Sequence, residues 1–253
     1  MALEIDDVNV SFGSVRAVAG VTLKLEAGER LGLVGPNGSG KSTLVNAISG
    51  IVKGGGRIAL DGSEVRAGSA LSAARCGISR TYQSPQTFAD VSCLDNVMLG
   101  LDRDRTNGLF AAWFLRRATD RRERRRVSEA LALLDQVGLA DAAESPASML
   151  TFGQQQMLGL ARALAAKPSV LLLDEPVAGL NTEESKAMAK VLAAVNEQGV
   201  SLLLIEHRMD FVASLCPRVA VLAAGSLIAD GPHEQVFADP QVIDAYLGSV
   251  SHA

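Results

Sequence analysis

Hydrophobic and polar positions alternate in the N-terminal part of the chain. Residues 21–26, VTLKLE, place an apolar side chain at every second position, and the pattern returns at Ile58 and Leu60 before the pair Asp61 and Gly62. A period of two is typical of strands with one buried face, and Asp-Gly is a common turn between paired strands. The sequence therefore predicts an antiparallel sheet up to about residue 65.

Strands of a second kind follow later in the chain. Continuous apolar runs occur at residues 170–173, 202–205 and 219–222. Such runs are typical of parallel strands that are covered on both faces. A helical pattern over 182–198 separates the first two runs, with Asn181 as its expected N-cap and Gly199 as its stop. The alternation of strands and helices predicts an α/β fold.

Strand patterns are missing from the middle of the chain, where amphipathic helical spacing takes over, including residues 128–137 and 154–166. We predict that residues 1–253 form a single domain. Its α/β core, with the antiparallel β subdomain, would comprise 1–87 and 161–253, and a helical subdomain at 88–160 would be inserted into it.

Composition narrows the class of protein. The 253 residues are 48% hydrophobic, yet no apolar stretch approaches the roughly 18 residues of a membrane-spanning helix. The N-terminal residues lack the basic and long apolar regions of a signal peptide, so we expect a cytoplasmic protein. Cys76, Cys93 and Cys216 show no metal or redox spacing and are expected to be reduced thiols.

The formal net charge is -4, which gives the chain no general attraction for nucleic acid. Residues 116–126 are a local exception, because seven of these eleven positions are arginine. Two interpretations stay open for this stretch. It forms a solvated helical face, or it meets phospholipid headgroups or an acidic loop of a partner.

The most informative motif is GPNGSGKST at residues 35–43, which contains the complete G-x-x-x-x-G-K-[ST] pattern of a Walker A loop. Its glycines let backbone amides face phosphate oxygens. Lys41 is expected to reach the β- and γ-phosphates, Ser42 to offer its hydroxyl to Mg²⁺, and the helix that starts near Lys41 to direct its positive end at the phosphates. The predicted nucleotide-binding residues are Gly35, Pro36, Asn37, Gly38, Ser39, Gly40, Lys41, Ser42 and Thr43.

An accidental glycine-rich turn is the alternative. A predicted strand at 30–34 and helical spacing at 44–48 flank the loop, and this context favours nucleotide binding.

Two carboxylates follow the apolar run at 170–173. Asp174 is suited to hold Mg²⁺, and Glu175 is suited to accept a proton from the water that attacks the γ-phosphate. Ligands bind at the carboxyl ends of strands in open α/β sheets. A loop cap before Pro176 is the alternative, and the Walker A loop upstream favours the catalytic interpretation.

Further motifs appear in a fixed order. They are Gln83 in RTYQ, LTFGQ at 150–154, AGLN at 178–181 and His207. With these motifs the chain resembles, over essentially its whole length, the nucleotide-binding subunits of ATP-binding cassette (ABC) transporters. The resemblance implies a P-loop NTPase fold of the ABC ATPase type that hydrolyses ATP with Mg²⁺.

The resemblance also implies roles for individual residues. Gln83 would sense Mg²⁺ and the attacking water, and His207 would contact the γ-phosphate and Glu175. Lys41 would complete the catalytic set. Phe12 stands where the family has an aromatic residue that stacks on adenine, although packing of its ring in the core is an alternative.

The signature motif of the family falls on residues 150–154. By resemblance, Thr151, Gly153 and Gln154 contact the γ-phosphate of ATP bound by a second, head-to-tail subunit. Phe152 departs from the commonest signature, which has glycine there. The resemblance thus implies a homodimer or a heterodimer with a related ATPase.

The particular forms of the motifs in this chain indicate a branch of the family. RTYQ at 80–83, TFGQQ at 151–155, IEHRM at 205–209 and AYLG at 245–248 look like the ATP-binding subunits of branched-chain amino acid importers. Arg208 differs from the aspartate usual in that branch. The implied partners are integral membrane permease subunits and, indirectly, a periplasmic solute-binding protein. The implied location is the cytoplasmic face of the cell membrane, without nucleic acid.

Three other functions are alternatives to import. An exporter ATPase of the lipopolysaccharide type shares the length and the Tyr-Leu-Gly tail but usually has a Gly-Gly-Glu signature. A soluble, non-transport ABC protein would be expected to have tandem cassettes, coiled coils or a basic face. A non-hydrolysing regulatory module would not need the intact set of Lys41, Asp174, Glu175 and His207.

Overall fold

A computed structural model describes residues 2–101 and 116–250, and the side chains of 116–122 and 247–250 lie outside that description. The strands of the described chain form two sheets. In chain order they are β1 (Leu3–Phe12), β2 (Val15–Leu25), β3 (Arg30–Val34), β4 (Gly55–Leu60), β5 (Ser63–Glu64), β6 (Ile78–Arg80), β7 (Val170–Asp174), β8 (Ser201–Ile205), β9 (Arg218–Ala223) and β10 (Ser226–Pro232).

Helices connect these strands. They are α1 (Lys41–Ile48), α2 (Ala70–Cys76), α3 (Cys93–Leu101), α4 (Arg116–Gln136), α5 (Phe152–Ala165), α6 (Thr182–Glu197), α7 (Met209–Leu215), α8 (His233–Phe237) and α9 (Pro240–Val250). Within the described ranges none of them combines the length and the apolar character needed to cross a bilayer.

The N-terminal sheet is antiparallel, with the strand order β2-β1-β4-β5. In β2 the side chains of Val21, Leu23 and Leu25 are buried, and the residues between them are exposed, as the alternation predicts. Asp61 and Gly62 turn the chain between β4 and β5 with φ angles of 49° and 76°. Positive φ at both central residues is the requirement of a type I′ turn.

The second sheet has the order β10-β9-β3-β8-β7-β6 and is parallel except for β10, which pairs antiparallel with β9. This arrangement confirms the predicted α/β class. Because parallel strands end at the same edge of a sheet, the loops after β3, β6, β7 and β8 are brought side by side. Every chemical motif of the sequence apart from 150–154 follows one of these strands.

The parallel sheet is buried on both faces. Successive residues of β7 face opposite sides, so that Leu172 joins a core with α1 and the antiparallel sheet, and Leu171 joins a core with α5 and α6. Full burial of a leucine side chain contributes about 1.5–3 kcal/mol. The continuous apolar runs are therefore explained by two cores that share one sheet.

Between β6 and β7 the described residues form helices and turns, with a single bridge between Ser92 and Pro146. Helix α5 begins at Phe152, two residues before the predicted start, because Thr151 rather than a later residue is its N-cap. The predicted subdomain boundary at residue 160 falls inside α5. The buried Asn96 holds the loop before α3 through bonds to Phe88, whose N–H it accepts at 2.9 Å.

The arginine-rich stretch lies at the start of α4, and the side chains of Arg116, Arg117, Arg121 and Arg122 fall outside the described part. Nε of Arg125 donates to Glu129 at 3.0 Å, and Arg126 pairs with Glu123 at 3.0 Å. These pairs each include one well-exposed and one partly buried side chain, which fits a helical face at the protein surface.

The three cysteines are free thiols, as expected from their spacing. Cys93 and Cys216 are buried. Burial raises the pKa of the Cys216 thiol to about 12, so that this side chain stays protonated at neutral pH.

Candidate nucleotide-binding site

The phosphate loop joins β3 to α1 in a conformation that glycine alone can adopt at two positions. Gly35 has a φ of 146°, and an added Cβ would lie 2.0 Å from the carbonyl oxygen of Leu222. Gly40 has a φ of 103°, and its Cβ would lie 2.3 Å from the carbonyl oxygen of Ala17. At Gly38, where φ is 76°, the space is open. The loop therefore forms a cradle that is lined by backbone atoms, without side chains at Gly35, Gly38 and Gly40.

The side chain of Lys41 lies inside this cradle and is buried. Its ammonium donates to the carbonyl oxygens of Gly35 at 2.8 Å and Pro36 at 2.9 Å. Burial lowers the pKa of Lys41, and the nearby carboxylates of Glu175 and Asp174 act in the opposite direction. The phosphate loop thus holds the ammonium within electrostatic reach of both carboxylates.

Helix α1 begins without a side-chain cap, since its N-cap is Gly40. The first amides of a helix have no partner within the helix and favour an anion. By contrast, α5 and α6 each begin with a complete capping box. Of the other predicted loop residues, Ser39 is buried, Pro36 and Thr43 are half-buried, and Asn37 and Ser42 are exposed.

At the end of β7 the two carboxylates take different environments. Asp174 is buried and forms an ion pair with Arg80, with 2.6 Å between Oδ2 and Nη2. Glu175 has a φ of 49°, in the left-handed region that residues other than glycine rarely adopt. Its N–H donates to the carbonyl oxygen of Ile205 at 2.9 Å. The strained turn directs the two side chains to different neighbours.

The side chain of Glu175 meets two other predicted site residues. Nε2 of Gln83 donates to Oε2 of Glu175 at 2.8 Å, and Nε2 of His207 lies 3.0 Å from Oε1. These residues come from the loops after β6, β7 and β8. A carboxylate held on both oxygens beside a phosphate loop is suited to orient water and to accept its proton.

Oxygen donors for a magnesium ion are present in the same region. The hydroxyl of Ser42, the carboxylate of Asp174 and the amide oxygen of Gln83 are hard ligands of the type that Mg²⁺ binds together with water and substrate phosphates. Among the residues that the structure describes, no cluster of three or more His, Cys, Asp or Glu side chains could hold a metal. Because Ser42, Asp174 and Gln83 offer hard oxygen atoms, their chemistry fits Mg²⁺ bound together with nucleotide phosphates.

The signature residues contact α6. Gln154 N–H donates to Oγ1 of Thr151 at 3.3 Å, and the Gln154 side chain accepts from Thr151 N–H at 3.0 Å, which completes the capping box of α5. At Gly153 an added Cβ would lie 2.6 Å from a carboxylate oxygen of Glu184. The starts of α5 and α6 therefore lie close together.

Helix α5 also contacts two of the loops. Nε2 of Gln156 donates to the carbonyl oxygen of Gln83 at 2.9 Å. The ring of Phe152 lies over Gly179, where an added Cβ would be 3.1 Å from the ring. The residue that departs from the usual signature thus packs against the loop at 178–181.

Phe12 ends β1 and is 52% exposed. Packing in the core, the alternative left open by the sequence, does not occur. The following Gly13, with a φ of 59°, turns the chain toward β2.

One buried carboxylate was missed by the sequence analysis. Glu206 is 3% exposed and lies directly after β8. Its oxygens accept the backbone N–H groups of Val177 at 3.1 Å, His207 at 3.0 Å and Arg208 at 3.3 Å. Glu206 therefore links the turn after Glu175 to the loop that carries His207. The signal was a charged residue at the end of an apolar run.

A phosphate loop between a strand and a helix, with carboxylates at the end of a strand nearby in the same sheet, defines a P-loop nucleotide hydrolase. The family model described as ABC transporter matches residues 18–178. A model described as branched-chain amino acid ATP-binding cassette transporter matches residues 226–252. The chain therefore belongs to the ABC transporter family, and it is an ABC ATPase.

Relatives match over nearly the whole length. The chain is 37% identical over 248 residues to the high-affinity branched-chain amino acid transport ATP-binding protein BraF of Pseudomonas aeruginosa, covering 97% of each chain. It is 34% identical over 248 residues to the corresponding protein LivG of Escherichia coli, again covering 97% of each.

Solved structures show the same fold. A nucleotide-free ATP-binding cassette from an ABC transporter superposes with a TM-score of 0.83 at 27% identity, covering 97% of this chain and 98% of the other. The ADP conformation of MJ1267, an ATP-binding cassette of an ABC transporter, also has a TM-score of 0.83 at 27% identity, covering 98% and 99%.

Proposed function

We propose that this chain is the ATP-hydrolysing subunit of an importer for branched-chain amino acids or related small solutes. The contact of Glu175 with both Gln83 and His207 carries the hydrolytic part of the proposal. The import part is supported by BraF and LivG, whose names describe branched-chain amino acid transport. These relatives favour import over lipopolysaccharide-type export or a non-transport role.

Residues 35–43 would bind the ATP phosphates. On binding, Lys41 would exchange its carbonyl partners in the loop for phosphate oxygens, and the exposed ring of Phe12 would stack on adenine. Ser42, Asp174 and Gln83 would hold Mg²⁺, which when bound neutralises charge on the β- and γ-phosphates. The bare amides at the start of α1 complete the anion site.

Glu175 would act as the general base. Its carboxylate accepts a proton from water as that water attacks the γ-phosphate, and Gln83 and His207 hold the carboxylate in place. His207 would also contact the γ-phosphate, where a hydrogen-bond donor stabilises the charge of the transition state. Glu206 fixes the backbone of this loop.

A second ABC ATPase subunit would complete the site. In a head-to-tail dimer, Thr151, Gly153 and Gln154 of one subunit would contact the γ-phosphate held by the other. The support is the start of α5, where the hydroxyl of Thr151 and the amide of Gly153 lie at a helix N-terminus. Both a homodimer and a heterodimer fit this arrangement.

Permease subunits would supply the membrane-spanning part. The segment from Pro85 to Val97 follows Gln83 and carries the exposed ring of Phe88 on a loop that Asn96 holds in place. We propose that a cytoplasmic loop of a permease docks there, which would hold the chain on the inner face of the membrane. A periplasmic solute-binding protein would act through the permease.

We also propose the division of the chain into a core at 1–87 and 161–253 and a helical subdomain at 88–160. Helices α3, α4 and α5 support it. Because residue 160 lies inside α5, that helix would belong to both parts.

The transport proposal is tested by the substitution Phe88→Ser. Tagged protein purified from membranes should recover multi-span permease subunits, and cells should take up labelled leucine. We expect Phe88→Ser to reduce both several-fold, because the docking surface loses its apolar ring. Leu71→Ser is the matched control, since Leu71 is 58% exposed, against 51% for Phe88, and lies on α2, outside the segment from Pro85 to Val97. Recovery of ribosomes or DNA-bound protein in place of a permease would contradict the proposal.

A further inference from the structure

Arg80 ends β6 and is buried beside the carboxylates, although neither motif analysis nor the proposed mechanism gives it a role. Its side chain is 7% exposed, and that of Asp174 is 12% exposed. Nη2 of Arg80 donates to Oδ2 of Asp174 at 2.6 Å. The other carboxylate oxygen, Oδ1, is not part of this ion pair.

The second nitrogen of the same guanidinium contacts α1. Nη1 donates to Oδ1 of Asn46 at 2.5 Å and to Oγ of Ser49 at 3.3 Å. Asn46 belongs to the helix that begins with Lys41, and Ser49 is the C-cap of that helix. Arg80 therefore connects the carboxyl end of β7 to the helix after the phosphate loop.

The face of the guanidinium is also occupied. Its central carbon lies 5.0 Å from the centroid of the Tyr82 ring, which is a cation–π distance. Tyr82 immediately precedes Gln83. One planar group thus contacts α1, Asp174 and the segment that carries Gln83.

A lysine could not make these contacts together. Arginine presents donors in a rigid, planar fork and keeps its charge, and lysine presents a compact ammonium on a flexible stem. A buried carboxylate that loses its partner keeps an uncompensated charge, which strongly destabilises a protein. Both the geometry of the guanidinium donors and the positive charge of Arg80 therefore matter at this position.

We infer that Arg80 is a positioning residue that fixes the carboxylate of Asp174 relative to α1, so that this carboxylate is oriented for Mg²⁺ bound with the nucleotide. The inference rests on the Mg²⁺ role proposed for Asp174. Partners that orient metal-binding side chains typically change metal affinity by about 10- to 100-fold when they are replaced.

Two replacements separate positioning from simple charge. Arg80→Lys keeps the charge and loses the fork, and Arg80→Met loses both. If Arg80 positions Asp174, both variants bind ATP in EDTA about as well as the wild type. The factor by which Mg²⁺ increases the affinity for ATP is then about 10- to 100-fold smaller in both variants than in the wild type. If Arg80 only screens charge, Arg80→Lys matches the wild type and Arg80→Met binds Mg²⁺ more tightly. The second result would overturn the inference.

A measurement without nucleotide tests the ion pair itself. In urea unfolding, Arg80→Met should lower the midpoint, and the same substitution in an Asp174→Asn background should lower it much less, because no buried charge is then left unpaired. Equal shifts in both backgrounds would refute the coupling. Arg57→Met is the matched control, since Arg57 pairs with Glu4 at 3.1 Å at an exposed position and should have little effect.

The same measurements distinguish a failure of the proposed Mg²⁺ role of Asp174 from a failure of the inference about Arg80. If Mg²⁺ adds nothing to ATP binding by the wild type, or Asp174→Asn retains the added affinity, the proposed Mg²⁺ role of Asp174 is wrong. If Asp174→Asn loses that affinity and Arg80→Lys keeps it, only the inference about Arg80 is wrong.

Discussion

Glu175 combines an unusual backbone with a constrained side chain. Its left-handed φ of 49° is uncommon for a residue other than glycine, and such conformations cost of order 1–3 kcal/mol. The backbone bond to Ile205 and the side-chain contacts with Gln83 and His207 hold it in this conformation. Strain of this kind is concentrated at functional sites, which agrees with the role of general base proposed for Glu175.

At this scale the decisive change is Glu175→Gln. The amide keeps the shape of the side chain and cannot take up the proton, so ATP and Mg²⁺ should still bind while phosphate release falls about 10²- to 10⁴-fold. A phosphate-release assay measures the loss. Glu183→Gln, at an exposed position on α6, should leave the rate unchanged. A wild-type rate in the Glu175 variant would show that another group is the base.

Helices α1 and α6 differ in how they begin. Helix α6 starts with a capping box in which Asn181 accepts the N–H of Glu184 at 2.9 Å and the Glu184 side chain accepts the N–H of Asn181 at 3.0 Å. Helix α1 has no side-chain cap, and its amides face the phosphate loop. The cap of α6 satisfies amides of its first turn within the chain, whereas the uncapped start of α1 leaves donors for a ligand.

The prediction at the scale of elements concerns the cap of α6. Asn181→Ala should lower the free energy of unfolding by about 1 kcal/mol, because amides of the first turn lose their acceptor. Asn181→Asp should retain most of the stability, since aspartate is also a good cap. Thr182→Ala, at the next position, which is also exposed, serves as the control. Urea unfolding measures all three, and an unchanged midpoint for Asn181→Ala would contradict the capping role.

For the whole molecule, the parallel sheet is what assembles the site. The order β3-β8-β7-β6 places the phosphate loop, both carboxylates, Gln83 and His207 along one edge. The signature residues lie instead at the start of α5, against α6. We propose that they complete the site of a second, head-to-tail subunit.

The corresponding prediction uses the dimer. With ATP and Mg²⁺, the Glu175→Gln variant should elute from a size-exclusion column with more dimer than the wild type, because blocked hydrolysis leaves the ATP between the subunits. Lys41→Ala should lose nucleotide binding and show no such increase. If the Glu175 variant stays monomeric while a related ATPase restores the dimer, the pair is a heterodimer. Persistent monomer in both cases would contradict the shared site.

Local patterns were sufficient for much of the fold. The alternation in β2, the apolar runs of β7 and β8 and the cap at Asn181 depend on neighbours in sequence, and the structure has each of them. The start of α5 was predicted two residues late, because Thr151 was assigned to phosphate binding and not considered as a cap. Element type follows from local periodicity, and element ends depend on individual capping bonds.

The sequence by itself determined the family, the strand and helix patterns, and the chemistry of the phosphate loop, because each depends on residue types at short, fixed spacing. Only the tertiary structure decided which distant side chains meet. Gln83 and Glu175 are 92 positions apart, Arg80 and Asp174 are 94 apart, and Glu206 reaches Val177 across 29. These contacts exist because β6, β7 and β8 are neighbours in the sheet, and the pairing of parallel strands is set by long-range burial that no local pattern encodes.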